Sequence, residues 1–313
     1  MSRTYLALLH YDGRAFVGWQ RQPEGRSVQA EIEGVLERLC GRRTVVHGAG
    51  RTDAGVHSMG LGVSFSVAPK WSAESLRRAL NALLPRDCWV QQVHPMQPGF
   101  HARKSATGRR YRYVVGTDPG AMSPFRRPYE WALGRDLDPW LLIAAASLLP
   151  GRHDFRAFAV RRVEGAEGRK GGKAVTRTGG QVGGRSRGQT VSMPLGPSEC
   201  TIRLAEWQPR DENRGFSFHI AADRFLHHMV RFLVGTMVDI GLGRRPLDDM
   251  ARLLVAADNQ ATSPPAPPQG LFFLAAEYGE EWYLQADGRA GGQADSEGTA
   301  SPAEGLDFME SRG

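Results

Sequence analysis

One order of elements occurs twice along this chain, and few folds can satisfy it. Thr4 to His10 is rich in β-favouring residues and ends at Tyr11-Asp12-Gly13, a turn signal. Ser27 stands where an N-cap belongs, and Val28, Ile32, Val35, Leu36 and Leu39 follow at helical spacing. Val45 to His47 reads as a second strand; Leu61, Val63, Phe65 and Val67 alternate as a third, after a loop from Gly48 to Met59. Ser72 caps a helix carrying Leu76, Leu80, Leu83 and Leu84, and Cys88 to Val93 closes the set. The succession is βαββαβ.

The second half repeats it. Strands are expected at Arg109 to Gly116, Thr201 to Trp207, Gly215 to Ile220 and Leu271 to Tyr278, with helices at Pro139 to Leu149 and Asp223 to Ile240 and an extra helix from Pro246. Such an order is ferredoxin-like and mainly antiparallel, so the expected class is α+β: two tandem halves, with a cleft where they meet. The expected division is an N-terminal half, 1–98, and a C-terminal half, 99–285. Two segments fall outside it. A Gly-, Arg- and Lys-rich insertion, 161–188, holds too few apolar side chains to offset the entropy of ordering and is expected to be a mobile basic loop, while the Gly-rich tail with its acids, 286–313, is expected to be disordered.

Composition excludes several classes of protein. No apolar run approaches the length of a membrane span. Cys40, Cys88 and Cys200 lie far apart and leave one unpaired under any disulfide scheme, which with the absence of a recognisable leader points to a cytoplasmic protein. No Cys-x-x-Cys or HExxH pattern is present. His227 and His228 are adjacent, so on a helix they would point about 100° apart, and no metal is expected. The net charge of +7 favours an anionic partner such as nucleic acid.

The segment densest in chemistry is Gly48-Ala49-Gly50-Arg51-Thr52-Asp53-Ala54-Gly55-Val56-His57. On local composition Asp53 is as well read as a turn residue, and Arg51 as a surface charge. The sequence, however, resembles the signature loop of TruA-type tRNA pseudouridine synthases. The resemblance extends through Phe16, Gly18-Trp19-Gln20, Ser27-Val28-Gln29, Phe100-His101-Ala102-Arg103, Arg109-Arg110-Tyr111-Arg112-Tyr113, Phe225-Leu226-His227-His228-Met229-Val230-Arg231 and Gly270-Leu271, all in order along the chain. It weakens after Asp154-Phe155-Arg156-Ala157-Phe158, where the basic insertion stands in place of an Arg-Thr-containing stretch and Thr176-Arg177-Thr178 is the candidate remnant.

The resemblance implies an isomerase that converts uridine to pseudouridine in the anticodon stem-loop of tRNA, at positions 38, 39 and 40, as a homodimer and without a cofactor. It implies a catalytic role for Asp53, whose carboxylate acts on the sugar as nucleophile or as base in a glycal route. It further implies that Arg231 pairs with Asp53, that Tyr111 stacks on the target base, that Leu271 lies near the uracil, and that Arg51 helps expel the flipped nucleotide. By periodicity alone Arg231 fits a solvated helix face, and Tyr111, Tyr113 and Leu271 fit a core. Arg103, Arg109 and Arg110 are candidates for phosphate contacts. Two other readings compete: a glycoside hydrolase, which needs a second carboxylate near Asp53, and a noncatalytic RNA-binding protein, which lacks here the expected aromatic RNP1 pattern.

Overall fold

The structure is a computed structural model and describes residues 2–160, 198–256 and 258–284. The insertion, 161–188, and the tail, 286–313, therefore lie outside the described residues. In the first half, β1 (Arg3–Tyr11) is followed by α1 (Val28–Cys40), β2 (His47–Gly48), β3 (His57–Val67), α2 (Ala73–Leu83) and β4 (Cys88–Met96). In the second come β5 (Ala106–Gly116), β6 (Trp131–Ala132), α3 (Pro139–Ser147), β7 (Gly151–Asp154), β8 (Glu199–Pro209), β9 (Gly215–Ala222), α4 (Met229–Gly241), α5 (Asp248–Leu254) and β10 (Leu271–Tyr278). The caps read from sequence are in place. Ser27 Oγ accepts from the Ala30 amide at 3.4 Å and Ser72 Oγ from the Ser75 amide at 3.1 Å, each satisfying a donor that a helix start leaves open.

All the strands join one sheet, in the order β4-β1-β3-β10-β5-β9-β8-β7, with β2 beside β3 and β6 beside β5. Each half keeps the antiparallel order of a ferredoxin-like unit: β4-β1-β3-β2 in the first and β10-β5-β9-β8 in the second. What fuses them is the shortness of β2. It pairs with β3 only through His47↔Ser64 and Gly48↔Val63, leaving the start of β3 free to pair in parallel with β10 through Phe272↔His57 and Phe273↔Ser58. Gly48 closes β2 in tight contact with an indole, since a Cβ there would sit 2.7 Å from the Trp19 ring.

The alternating face of β1 and β3 (Tyr5, Leu9, Leu61, Val63, Phe65) is buried together with Val28, Ile32, Leu36, Leu76 and Leu80 of α1 and α2. Burying a side chain such as Leu36 or Leu80 completely contributes roughly 1.5–3 kcal/mol. In the second half Tyr113, Phe218 and Ile220 are buried with Leu233, Val234 and Met237 of α4. Two expectations need correction here. The helix placed from Asp223 begins at Met229, and the strand placed at Val45 to His47 is a shorter one shifted to His47–Gly48, taking in a residue assigned to the loop.

Candidate active site

The loop from Gly48 to Val56 crosses the seam between the two halves and is tied down from both. Trp19 donates its amide to the Thr52 carbonyl at 3.1 Å, and the Thr52 hydroxyl lies 2.8 Å from the buried Tyr11 hydroxyl. Val56 donates to the Asp53 carbonyl at 3.2 Å, closing a turn in which Gly55 takes φ +79. From the second half, Arg109 Nε and an Nη donate to the Ala49 carbonyl at 3.3 and 3.2 Å. Gly18 lets another segment approach: it has φ +115, and a Cβ there would lie 2.7 Å from the Thr52 carbonyl oxygen. Gly18→Ala is accordingly expected to lower stability by about 1–3 kcal/mol and to displace Thr52 and Asp53. Chemical denaturation together with the single-turnover rate tests this; unchanged values for both would show that the loop is not braced there.

This bracing presents Asp53 to the start of α4. Arg231 donates from Nη1 to Asp53 Oδ2 at 3.2 Å, across 178 residues of sequence, while its Nε is held by the Ala266 carbonyl at 2.7 Å. His228 Nε2 stands 3.2 Å from Oδ2 and His227 Nε2 stands 3.4 Å from Oδ1. Three basic side chains thus surround one carboxylate whose side chain is 18% exposed. Burial pushes the carboxyl up, but the neighbouring His227 and His228 outweigh it, and Asp53 is held well below the usual carboxylate range. The Arg231 guanidinium adds a third basic contact to the same carboxylate.

The two histidines are the residues that sequence reasoning placed wrongly. They were expected on a helix, pointing apart. Instead α4 starts one residue later, and His228 precedes it with φ +64, a left-handed conformation uncommon for a residue with a Cβ. That twist lets both imidazoles turn to the same carboxylate. Their ring centroids are 4.1 Å apart. The only signal in the sequence was their position inside the motif that also supplied Arg231. Asp53, His227 and His228 are close enough together to hold a metal ion. Because the guanidinium of Arg231 already occupies Oδ2, the set is better suited to keeping an anion ionised than to capturing a cation.

Tyr111 lies in β5, opposite Phe273 of β10, with its ring edge-on to Phe225 and Phe273 at 5.0 Å in each case. It is 8% exposed, and a Cβ on Gly50 would come within 3.6 Å of its hydroxyl, so the ring forms a floor beneath the loop. Burial and the charge of Asp53 push the phenol up, keeping its proton in place. Leu271, paired with Tyr113, and Arg51, on the exposed side of the loop, line the same cleft. All five residues singled out by resemblance therefore border one site. Its free volume of about 50 Å³ is close to that of one or two waters, so a base enters only if rim side chains such as the half-exposed His227 move.

Two of the arginines considered for phosphate contact are otherwise engaged. Arg109 donates to the carbonyls of Ala49, Arg103, Ala106 and Asp223, which makes it a brace. Arg110 points to the opposite face of β5 and pairs with Glu277 at 2.8 Å.

Comparison with known proteins agrees with the geometry. A family model described as tRNA pseudouridine synthase matches residues 7–103 and 145–279. The tRNA pseudouridine synthase A of Solidesulfovibrio magneticus is 39% identical over 283 residues, covering 89% of this chain and 92% of that protein. Those of Citrifermentans bemidjiense and Chlorobium luteolum are 33% and 37% identical, over 89% and 88% of this chain and 99% and 95% of theirs. A seam-spanning loop that holds an ionised aspartate above a tyrosine, on a fused pair of ferredoxin-like sheets, defines a class of α+β enzyme. Within that class, this chain belongs to the tRNA pseudouridine synthase family.

Proposed function

We propose that this protein isomerises uridine to pseudouridine in tRNA, with Asp53 as its catalytic carboxylate. The observation that carries this reading is the Asp53 carboxylate kept ionised inside a cleft by His227, His228 and Arg231, in a chain of this family. In the reaction the N1–C1′ bond breaks, a C5–C1′ bond forms, C5 loses a proton and N1 gains one. Nothing is oxidised, reduced or hydrolysed, so the inventory balances without a cofactor. A carboxylate that remains charged in a largely buried cleft can attack C1′ or take a proton from the sugar, and either route needs the anion.

The remaining residues divide the work of holding the base. Tyr111 supplies the surface beneath the uracil and Leu271 an apolar contact beside it. Arg51 stands at the rim, where a guanidinium can replace the extruded nucleotide; extrusion costs roughly a few kcal/mol, least for a weakly stacked base. Among the described residues no helix is long and apolar enough to cross a membrane. We further propose two domains, 1–98 and 99–285, a cytoplasmic homodimer, and targets at positions 38, 39 and 40 of the anticodon stem-loop.

Incubation of the purified protein with unmodified tRNA is expected to give pseudouridine, located by chemical mapping, at the same rate with and without EDTA. No pseudouridine in any tRNA would reject the function. Activity abolished by chelator and restored by zinc alone would reject the cofactor-free chemistry and give Asp53, His227 and His228 a different role.

A further inference from the structure

A second cavity, of about 250 Å³, opens beside the β2–β3 edge, at the other end of the catalytic loop. Its polar lining includes Arg42, Arg43, His47 and Ser64, together with Thr44 and the Thr4–Ser66 hydroxyl pair at 3.0 Å, and no carboxylate of the described residues contributes. Several arginines outside this cavity do meet acids: Arg26 pairs with Glu31 and Asp87, Arg110 and Arg203 with Glu277, and Arg126 and Arg210 with Glu130. Among the described residues no ion pair of 4.0 Å or less joins Arg42 or Arg43 to an acid, and both are exposed.

The positive character continues toward the catalytic loop. The His47 ring stacks on His101 at 4.4 Å, and His101 is followed by the exposed Arg103 and Lys104. Burial first, and then the charges of His47, Lys104 and Arg103, depress the basicity of His101, as expected where cations gather without a counter-anion. Hydroxyls complete the lining. Ser64 Oγ accepts from the Ala102 amide at 2.9 Å, which leaves its own proton to donate.

We propose that this cavity is a phosphate subsite for the RNA backbone, an inference that rests on the reading that the substrate is RNA. Two exposed arginines and the Ser64 hydroxyl lining one cavity match the oxygens of a phosphodiester, which accepts several hydrogen bonds and carries one charge. Reach agrees with a role on the same RNA. Asp53 follows His47 by six positions in the chain, so the span is at most about 20 Å. At a rise of about 3.4 Å per step, that is within a single stem. The subsite fixes the register of the stem while Asp53 meets the target nucleotide; it adds affinity and placement, and carries no base specificity of its own.

The test compares full-length Arg42→Glu/Arg43→Glu, and the milder Arg42→Gln/Arg43→Gln, with Arg86→Glu/Arg135→Glu, an exposed pair outside the cavity. Circular dichroism and melting check that each is folded. Binding of unmodified tRNA is measured across a series of salt concentrations. Charge reversal at 42 and 43 is expected to raise Kd about tenfold and to flatten the slope of log K against log salt by roughly one, with a smaller shift for the Gln pair. Arg86→Glu/Arg135→Glu should leave the slope as in the wild type. Equal effects from the two Glu pairs would show bulk charge alone and overturn the proposal. So would calorimetric binding of inorganic phosphate that the Arg42 and Arg43 substitutions abolish while the RNA slope stays unchanged, since the cavity would then take a free anion. Failure of the enzymatic reading is seen separately, as absence of pseudouridine with the wild-type protein.

Discussion

Asp53→Asn is expected to reduce pseudouridine formation by at least about a thousandfold while tRNA binding persists. The substitution keeps the shape of the side chain and removes the negative charge on which both routes at C1′ depend, a loss of about 10³–10⁴ for a central catalytic group. The turn should survive it, because the loop is held by backbone and neighbouring contacts: Trp19 on Thr52, Tyr11 on the Thr52 hydroxyl, and Val56 on the Asp53 carbonyl. Affinity for RNA comes mainly from phosphate contacts, and removing an anion from a site that faces a polyanion does not weaken them. The measurement is a single-turnover rate at saturating enzyme, with a folded variant free of wild-type protein. A residual rate above about one thousandth of normal would make Asp53 a turn residue and move the active site elsewhere.

The second large effect is on pH dependence. Folding depresses the Asp53 pKa, so the group contributes stability that is fully present above the ordinary value of 3.8 and is lost as pH falls through the folded value. The same sign governs activity: in the wild type the carboxylate is still ionised at pH values where an unassisted buried acid would have taken up a proton. Replacing His227 and His228 together by Gln takes away the groups that outweigh burial, leaving Arg231 alone against it. The acid limb of the single-turnover rate is therefore expected to move to higher pH, with a lower plateau as the carboxylate loses its orientation. Adding Arg231→Met should move the limb further in the same direction. An acid limb at the same pH in all three proteins would mean that Asp53 ionisation does not control the rate and that the cationic surround has another purpose.

The residues near one another in the chain were the legible ones. Strand and helix periodicities, the Ser27 and Ser72 caps and the Gly-rich loop act through neighbours a few positions away, so the repeated βαββαβ order and most element bounds follow from sequence. The collinear motifs likewise brought Arg51, Asp53, Tyr111, Arg231 and Leu271 to attention before any contact between them was known. Their individual roles were not contained in those patterns: Tyr111 and Leu271 alternate like ordinary core residues, and Arg231 lies in a helix whose other residues already make a core face.

Tertiary structure decided what depends on distant pairing and on single backbone angles. By sequence alone the chain, α+β in two similar halves, fits two sheets as well as one. A two-residue β2 left the edge of β3 open to β10, and the halves became continuous across His57 and Phe272. Similarly, adjacent histidines point apart on a helix but converge when His228 takes φ +64, an angle that local composition does not announce and that pays off only because Asp53 lies opposite. Arg109 and Arg110 look equivalent in the motif. Alternation along β5 sends one to brace the catalytic loop and the other to Glu277, because successive side chains of a strand leave it on opposite faces.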